Sequence, residues 1–157
     1  LIGDFLNFYQ KELATTDLNF YNSLKKVPCH GDFDTKNIIR QHKKIVGFID
    51  LGGVSIDPTI SDLQSCIHLN SLNKGKIDTN IARAIMCGYN SQIKLNKKQK
   101  GLLPILIYAD ILKILCWVMT EKIKSKSRLK NSEATERIKV LIWMIKNFKK
   151  FNLLIKT

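Results

Sequence analysis

An α+β fold, predominantly helical with one small β-hairpin, follows from three features of the chain. Apolar residues recur at helical spacing along most of it, as at Leu1, Phe5, Phe8, Tyr9 and Leu13 and again at Ile77, Ile81, Ile85 and Tyr89. Two β-branched runs in NIIRQHKKIVGFID are joined by a polar turn at residues 41–44, the pattern of a hairpin. The 157 residues, 45% hydrophobic, are one domain's worth and enough to bury a core, so a disordered chain is excluded.

Each element has its own signal. The first helix carries Leu1 to Leu13, and Thr16 or Asp17 is placed to cap a short second one bearing Leu18, Tyr21 and Leu24. Pro28 biases its predecessor toward extended backbone, so VPCH enters the next loop as a strand. After the hairpin, residues 51–57 read as a loop containing Gly52 and Gly53. Asp57-Pro58 then reads as an N-cap followed by proline in the first turn of a helix reaching about Leu72. Further helices are expected over Ile77 to Tyr89, over 101–124 as a long buried one, and from a cap at Asn131 or Ser132 through Ile138, Leu141, Ile142, Ile145 and Phe148. A charged connector, KIKSKSRLKNS, separates the last two.

The net charge of +13 sets up a positive field that attracts anions. Lysine far outnumbers arginine, with Ile and Asn also abundant, which is what a compositionally biased coding sequence gives. Arg40, Arg83, Arg128 and Arg137 are the only arginines, and arginine is the better bidentate reader of phosphates and bases. The lysines are scattered, so a nucleic-acid partner is not expected. Cys29, Cys66, Cys87 and Cys116 lie far apart among apolar neighbours, without the spacing of a zinc site. They read as small buried residues in a reducing compartment. The opening LIGDFLNFYQKEL carries charge too early for a secretory signal. The longest apolar run, 102–119, is interrupted by Pro104, Asp110 and Lys113, so a buried helix is expected there and not a membrane span. The expected address is the cytoplasm.

The chemistry concentrates in CHGDFDTKN, residues 29–37. Asp32 and Asn37 share this loop, and Asp50 ends the second strand of the hairpin. A hairpin brings its ends together, which returns Asp50 close to Asn37. A carboxylate and an amide oxygen side by side suit Mg²⁺, which takes few protein oxygens and completes its shell with phosphate and water. Asp32 is then free to accept a proton from a hydroxyl nucleophile. Together these are the parts for phosphoryl transfer. Taken singly, each has an ordinary role: Asp32 or Asp34 as a turn former, Asp57 as a cap, His30 as a packing residue. Those roles do not account for the joint spacing.

HGDFDTKN followed by VGFIDLGGVSIDPTISDL resembles the paired signatures of the aminoglycoside phosphotransferase and choline kinase superfamily, over residues 30–63. The resemblance implies the C-terminal lobe of a protein-kinase-like fold, ATP and Mg²⁺ as cofactors, and a small-molecule hydroxyl as acceptor. It makes Asp32 the catalytic base and Asn37 and Asp50 the Mg²⁺ ligands. His30, Asp57 and Asp62 become supporting residues, with Asp62 tying the following helix to the loop backbone. A fainter similarity, in YNSLKKVPCHGDF, CGYN and LLPILIYADIL, points to the homoserine kinase branch. Asp34 stands where related kinases carry a lysine; Lys36 either compensates for it or points to solvent.

The N-terminal lobe of such kinases, with its glycine-rich strand-turn and paired lysine, does not fit before residue 29. The chain is therefore expected to be a single domain, the C-terminal lobe, with half of the ATP site outside it. It is expected to be inactive alone and to leave an apolar face for the missing lobe or a second copy of the chain. A catalytically silent binding module and a basic nucleic-acid-binding domain are the competing readings. Within the later helices Asp110 is the most unusual residue, placed either to bind a substrate amine or to pair with Lys113.

Overall fold

The computed structural model describes residues 1–125 and 131–156, with side chains over 1–120 and 132–155. The order of elements is α1 (Ile2–Ala14), α2 (Leu18–Ser23), β1 (Lys26–Cys29), β2 (Ile38–Gln41), β3 (Lys44–Phe48), β4 (Ser55–Pro58), α3 (Ser61–Ser71), β5 (Leu72–Asn73), β6 (Lys76–Ile77), α4 (Thr79–Gln92), α5 (Lys97–Ser125) and α6 (Asn131–Lys156). The α+β, mostly helical class is the one the periodicity predicts. Of the predicted charged connector, 122–125 continue α5 and 131–132 begin α6, while 126–130 lie outside the described residues.

Helix α5 is the axis of the core. It is apolar on nearly every side, and a helix of that kind is stable in water only when surrounded. Leu103, Ile107, Tyr108, Ile111 and Leu115 are fully buried. They share one cluster with Phe5 of α1, Leu63 and Ile67 of α3, and Val140, Leu141 and Met144 of α6. Each such side chain contributes about 1.5–3 kcal/mol by leaving water. By length and composition Lys97–Thr120 would suffice to cross a bilayer; here just over half of its apolar stretch is buried inside the fold, while Cys116 and Trp117 are exposed. The Tyr108 hydroxyl donates to the Phe5 carbonyl at 3.0 Å, which pins α1 across the bundle.

α5 starts a turn earlier than the predicted Gly101. Asn96 accepts from the Gln99 amide at 2.9 Å while Gln99 accepts from the Asn96 amide at 2.9 Å. This reciprocal capping box satisfies two donors that a helix start leaves without partners. Asp17 caps α2 through the Phe20 amide, as one of the two predicted candidates. Asp78 caps α4 through the amides of Asn80 and Ile81.

The Asp57-Pro58 region departs from expectation. It forms β4, not a helix start, because β1 runs antiparallel beside it and pairs Val27 with Asp57 and Lys26 with Pro58. That pairing holds the backbone extended and delays the helix to Ser61, where Ile60 at the N-cap offers no side-chain acceptor. The Asp57 carboxylate accepts instead from the Ser55 hydroxyl. The cysteines also differ from the expected uniform burial: all four are free thiols, but only Cys29 is buried, Cys66 is half-buried, and Cys87 and Cys116 are exposed.

The hairpin of β2 and β3 closes through His42 and Lys43, both with positive φ (46° and 66°). Two left-handed residues in succession give a turn whose twist matches the strands. Asparagine and glycine adopt that backbone with less strain than histidine and lysine do. Replacing the pair by Asn-Gly (His42→Asn with Lys43→Gly) should therefore stabilise the protein by about 0.5–1 kcal/mol, read as a raised urea midpoint at an unchanged slope.

Candidate active site

The loop over residues 30–37 is held from below by α3. The His30 amide donates to Asp62 Oδ2 at 2.9 Å and the Gly31 amide to Asp62 Oδ1 at 3.0 Å. The Phe33 amide donates to the Ser65 hydroxyl at 3.2 Å, and the Thr35 amide to Asn70 Oδ1 at 2.9 Å. Asp62, Ser65 and Asn70 lie on α3, so one helix orders half of the loop's backbone donors. Gly31 has φ +77°, and a Cβ there would meet the Gly53 carbonyl oxygen at 2.5 Å. Only glycine permits this approach of the loop to the turn after Asp50.

Within the loop the side chains converge. Asn37 is buried, and its Nδ2 donates to both the Asp32 carbonyl and Asp32 Oδ2, at 2.9 Å each. That commits the amide nitrogen and turns Oδ1 away from Asp32. The Asn37 carbonyl accepts from the Ile49 amide at 3.0 Å, so the two ends of the hairpin meet and Asp50 follows directly. Asp50 is exposed, in a left-handed backbone conformation (φ 62°, ψ 58°), and its carboxylate makes no hydrogen bond to the helical turn it starts. His30 Nε2 is 2.9 Å from the Ile49 carbonyl, and its ring packs edge-on to Phe33 and Phe48. The imidazole thus joins the loop to the hairpin, and its Nδ1 accepts from the Asp32 amide at 3.4 Å.

Lys36 does not extend into solvent alone. Its ammonium is 3.4 Å from Asp32 Oδ2 and 3.6 Å from Asp34 Oδ2. Partial burial pushes its pKa down, but the charges of Asp32 and Asp34 outweigh this and hold it above the ordinary lysine value. Asp34 also accepts from the Lys36 amide, capping the short turn Thr35–Asn37. The carboxylate at position 34 is therefore occupied by a turn and a cation.

A cleft of about 450 Å³ opens beside the loop, lined by Gly31, Gly53, Asp57, Ser65, Asp110 and Lys113 among others. Asp110 Oδ1 is 3.0 Å from Lys113 Nζ, the pairing the sequence offered as one of two roles. Its other partner carries no mark in the sequence. His68, fully buried on α3, lies with Nδ1 2.9 Å from Asp110 Oδ2 and Nε2 2.8 Å from an Arg137 guanidinium nitrogen of α6. A guanidinium only donates, so Nε2 is the acceptor and Nδ1 carries the proton toward Asp110. Burial depresses the His68 pKa and keeps the ring neutral. Burial alone would raise the Asp110 pKa, but the His68 hydrogen bond and the charges beside it hold it below the ordinary value. No period or motif marks His68 or Arg137; only the packing of three helices brings them to Asp110.

The donor set around the loop can be judged for a metal. Among the described residues no three His, Cys, Asp or Glu side chains converge. Asn37 Oδ1 and the Asp50 carboxylate remain as two oxygens at the hairpin mouth. They fit a partial shell of the kind Mg²⁺ completes with phosphate and water, and not the dense cage of a structural ion.

The sequence over residues 2–89, more than half of the chain, matches the family model described as phosphotransferase enzyme family. A curated homoserine kinase of Polaromonas naphthalenivorans (strain CJ2) is 28% identical over 100 residues, covering 62% of this chain and 31% of that protein. The chain thus matches about a third of the length of that relative.

Two outcomes follow from the geometry. Asp62→Ala removes the acceptor of two loop amides and should cost about 2 kcal/mol or more, with hydrogen exchange at His30 and Gly31 accelerating well beyond that at α5. Stability should also fall as pH drops through about 6.5, since the unfolded chain then takes up a proton that the buried His68 excludes. Urea midpoints between pH 8 and pH 5.5 should show this slope, and His68→Gln should flatten it.

Proposed function

Because the chain belongs to the phosphotransferase enzyme family, we propose that it is the C-terminal, catalytic lobe of an ATP- and Mg²⁺-dependent kinase of a small-molecule hydroxyl. The observation that carries this reading is the Asp32–Asn37 hydrogen bond, at 2.9 Å, beside a hairpin that returns Asp50 to the same mouth. The homoserine kinase relative favours an amino alcohol over an aminoglycoside, choline or a sugar as acceptor.

The roles divide as follows. Asp32 accepts the proton of the acceptor hydroxyl as its oxygen attacks. Asn37 fixes the orientation of that carboxylate, and the Lys36 ammonium lies 3.4 Å from it. Asn37 Oδ1 and Asp50 would hold the metal. The bound magnesium nucleotide supplies the transferable phosphoryl group and neutralises its developing charge. Asp62 holds the loop in register, and His30 ties it to the hairpin. Asp57 shapes one wall of the acceptor cleft through its bond from Ser55.

An N-terminal lobe covering the nucleotide is part of the proposal. Its support is the apolar surface of the hairpin and the following turn, where Ile39, Ile45, Val46, Phe48, Leu51 and Val54 are exposed. A patch of that kind is held out of water by a partner, here the other lobe of the longer protein or a second copy of the chain.

The 157-residue chain alone should show no ATP-dependent phosphorylation of any hydroxyl. A longer protein including the preceding coding sequence should turn over, and Asp32→Asn should reduce kcat by about 100-fold or more with binding retained. Robust transfer by the short chain, or full activity of the Asp32→Asn variant, would overturn the reading.

A further inference from the structure

Lys113 lies one turn along α5 from Asp110, and both face the cleft that adjoins Gly31 and Gly53 of the proposed catalytic loop. Their situations differ. The Asp110 side chain is only 10% exposed and the Lys113 side chain 77%. One carboxylate oxygen, Oδ2, is bound from beneath by His68; the other, Oδ1, meets among the described residues the lysine ammonium. The carboxylate is fixed by protein on its inner side and held on its outer side by a cation on a flexible stem.

We propose that Asp110 and Lys113 form a recognition pair for an α-amino acid, Asp110 taking the ammonium group and Lys113 the carboxylate. The inference rests on the reading of the chain as a hydroxyl kinase and narrows its acceptor to one that carries both charges. Charge balance is the reason. A zwitterion inserted between the pair replaces one ion pair by two, and leaves neither side chain unpartnered. A ligand with an amine alone displaces Lys113 from Asp110 and leaves its ammonium without a counter-charge. A ligand with a carboxylate alone faces Asp110 at close range and is repelled. Asp57, the other carboxylate lining the cleft, is occupied by the Ser55 hydroxyl.

His68 and Arg137 act as positioning residues. Because His68 is fully buried and bonded at both nitrogens, the Asp110 carboxylate cannot rotate away when Lys113 leaves it. A neutral imidazole also adds no positive charge to compete with the incoming ammonium. The sequence marks Asp110 alone; the fold adds a mobile cation before it and a fixed scaffold behind it.

The test is binding to the 157-residue chain without nucleotide, by calorimetry or ligand-observed NMR. The probes are L-homoserine, 3-aminopropan-1-ol (no carboxylate) and 4-hydroxybutanoate (no amine). L-Homoserine should bind about tenfold or more tighter than either half-probe. Lys113→Gln, an exposed change that leaves the core intact, should reduce homoserine affinity to that of 3-aminopropan-1-ol. Asp110→Asn should weaken homoserine by a similar factor. His68→Gln should weaken it, since Asp110 then loses its fixed orientation, and the His68 Nδ1 proton should shift on addition of homoserine to the unaltered chain. Equal affinity for homoserine and 3-aminopropan-1-ol, indifference to Lys113→Gln, or no saturable binding of homoserine overturns the proposal. Because no phosphoryl transfer is measured, amino-acid binding without kinase activity in the longer protein would sink the functional reading and leave this pair standing. Kinase activity on acceptors without a carboxylate would do the reverse.

Discussion

Two consecutive backbone amides, those of His30 and Gly31, end on the two oxygens of a single carboxylate, Asp62. Much else in the molecule depends on this grip. Charge-assisted bonds of this kind are stronger than neutral ones, and this pair fixes the loop relative to α3 before any side chain of the loop is considered. Once His30 is placed, its ring reaches the Ile49 carbonyl and anchors the hairpin. Once Gly31 is placed, its left-handed backbone lets the loop lie against Gly53. The relation of Asp32 and Asn37 to Asp50 is therefore set by a residue that touches none of the three.

The pattern of helices and the hairpin could be read from the chain because each rests on local chemistry. Period-3.6 apolar spacing, the Asp17 cap and the two β-branched runs act over a few residues. Failures came where a distant partner overrides a local preference. Asp57-Pro58 has good helix-starting chemistry, yet β1 claims its backbone. The capping box at Asn96 and Gln99 was legible in principle, as an acceptor residue followed three positions later by glutamine, but the apolar run beginning at Leu102 drew the boundary later. For the site, motif spacing pointed to Asp32, Asn37, Asp50 and Asp62 because these fall within one short stretch. His68 and Arg137 are separated from Asp110 by 42 and 27 positions, and a single sequence has no signal that joins them.

The buried His68 bond to Asp110 and Arg137 also explains why helices as apolar as α5 meet in one arrangement. Hydrophobic burial is non-directional and tolerates sliding of one helix along another. A buried imidazole with a donor on one side and an acceptor on the other does not, because a shift of one turn would take the partners from both ring nitrogens. Arg137 reaches Glu133 at 3.6 Å on its own helix, which spreads its charge toward the surface. The polar chain fixes the register of α3, α5 and α6; the apolar residues supply the adhesion.

The hairpin raises a different matter. It is a ribbon of two strands with no third strand beside it among the described residues, and an isolated ribbon is barely stable in water. Its order is borrowed from the His30, Phe33 and Phe48 rings and from one backbone bond at Asn37. Opening of this ribbon should cost far less than global unfolding, and in opening it would carry Asp50 away from Asn37. Any ligand bridging those two residues must then spend part of its binding free energy on quenching that motion. Affinity at this mouth becomes a measure of how well the ribbon is clamped, and a neighbour covering its apolar face would tighten binding without touching the ligand.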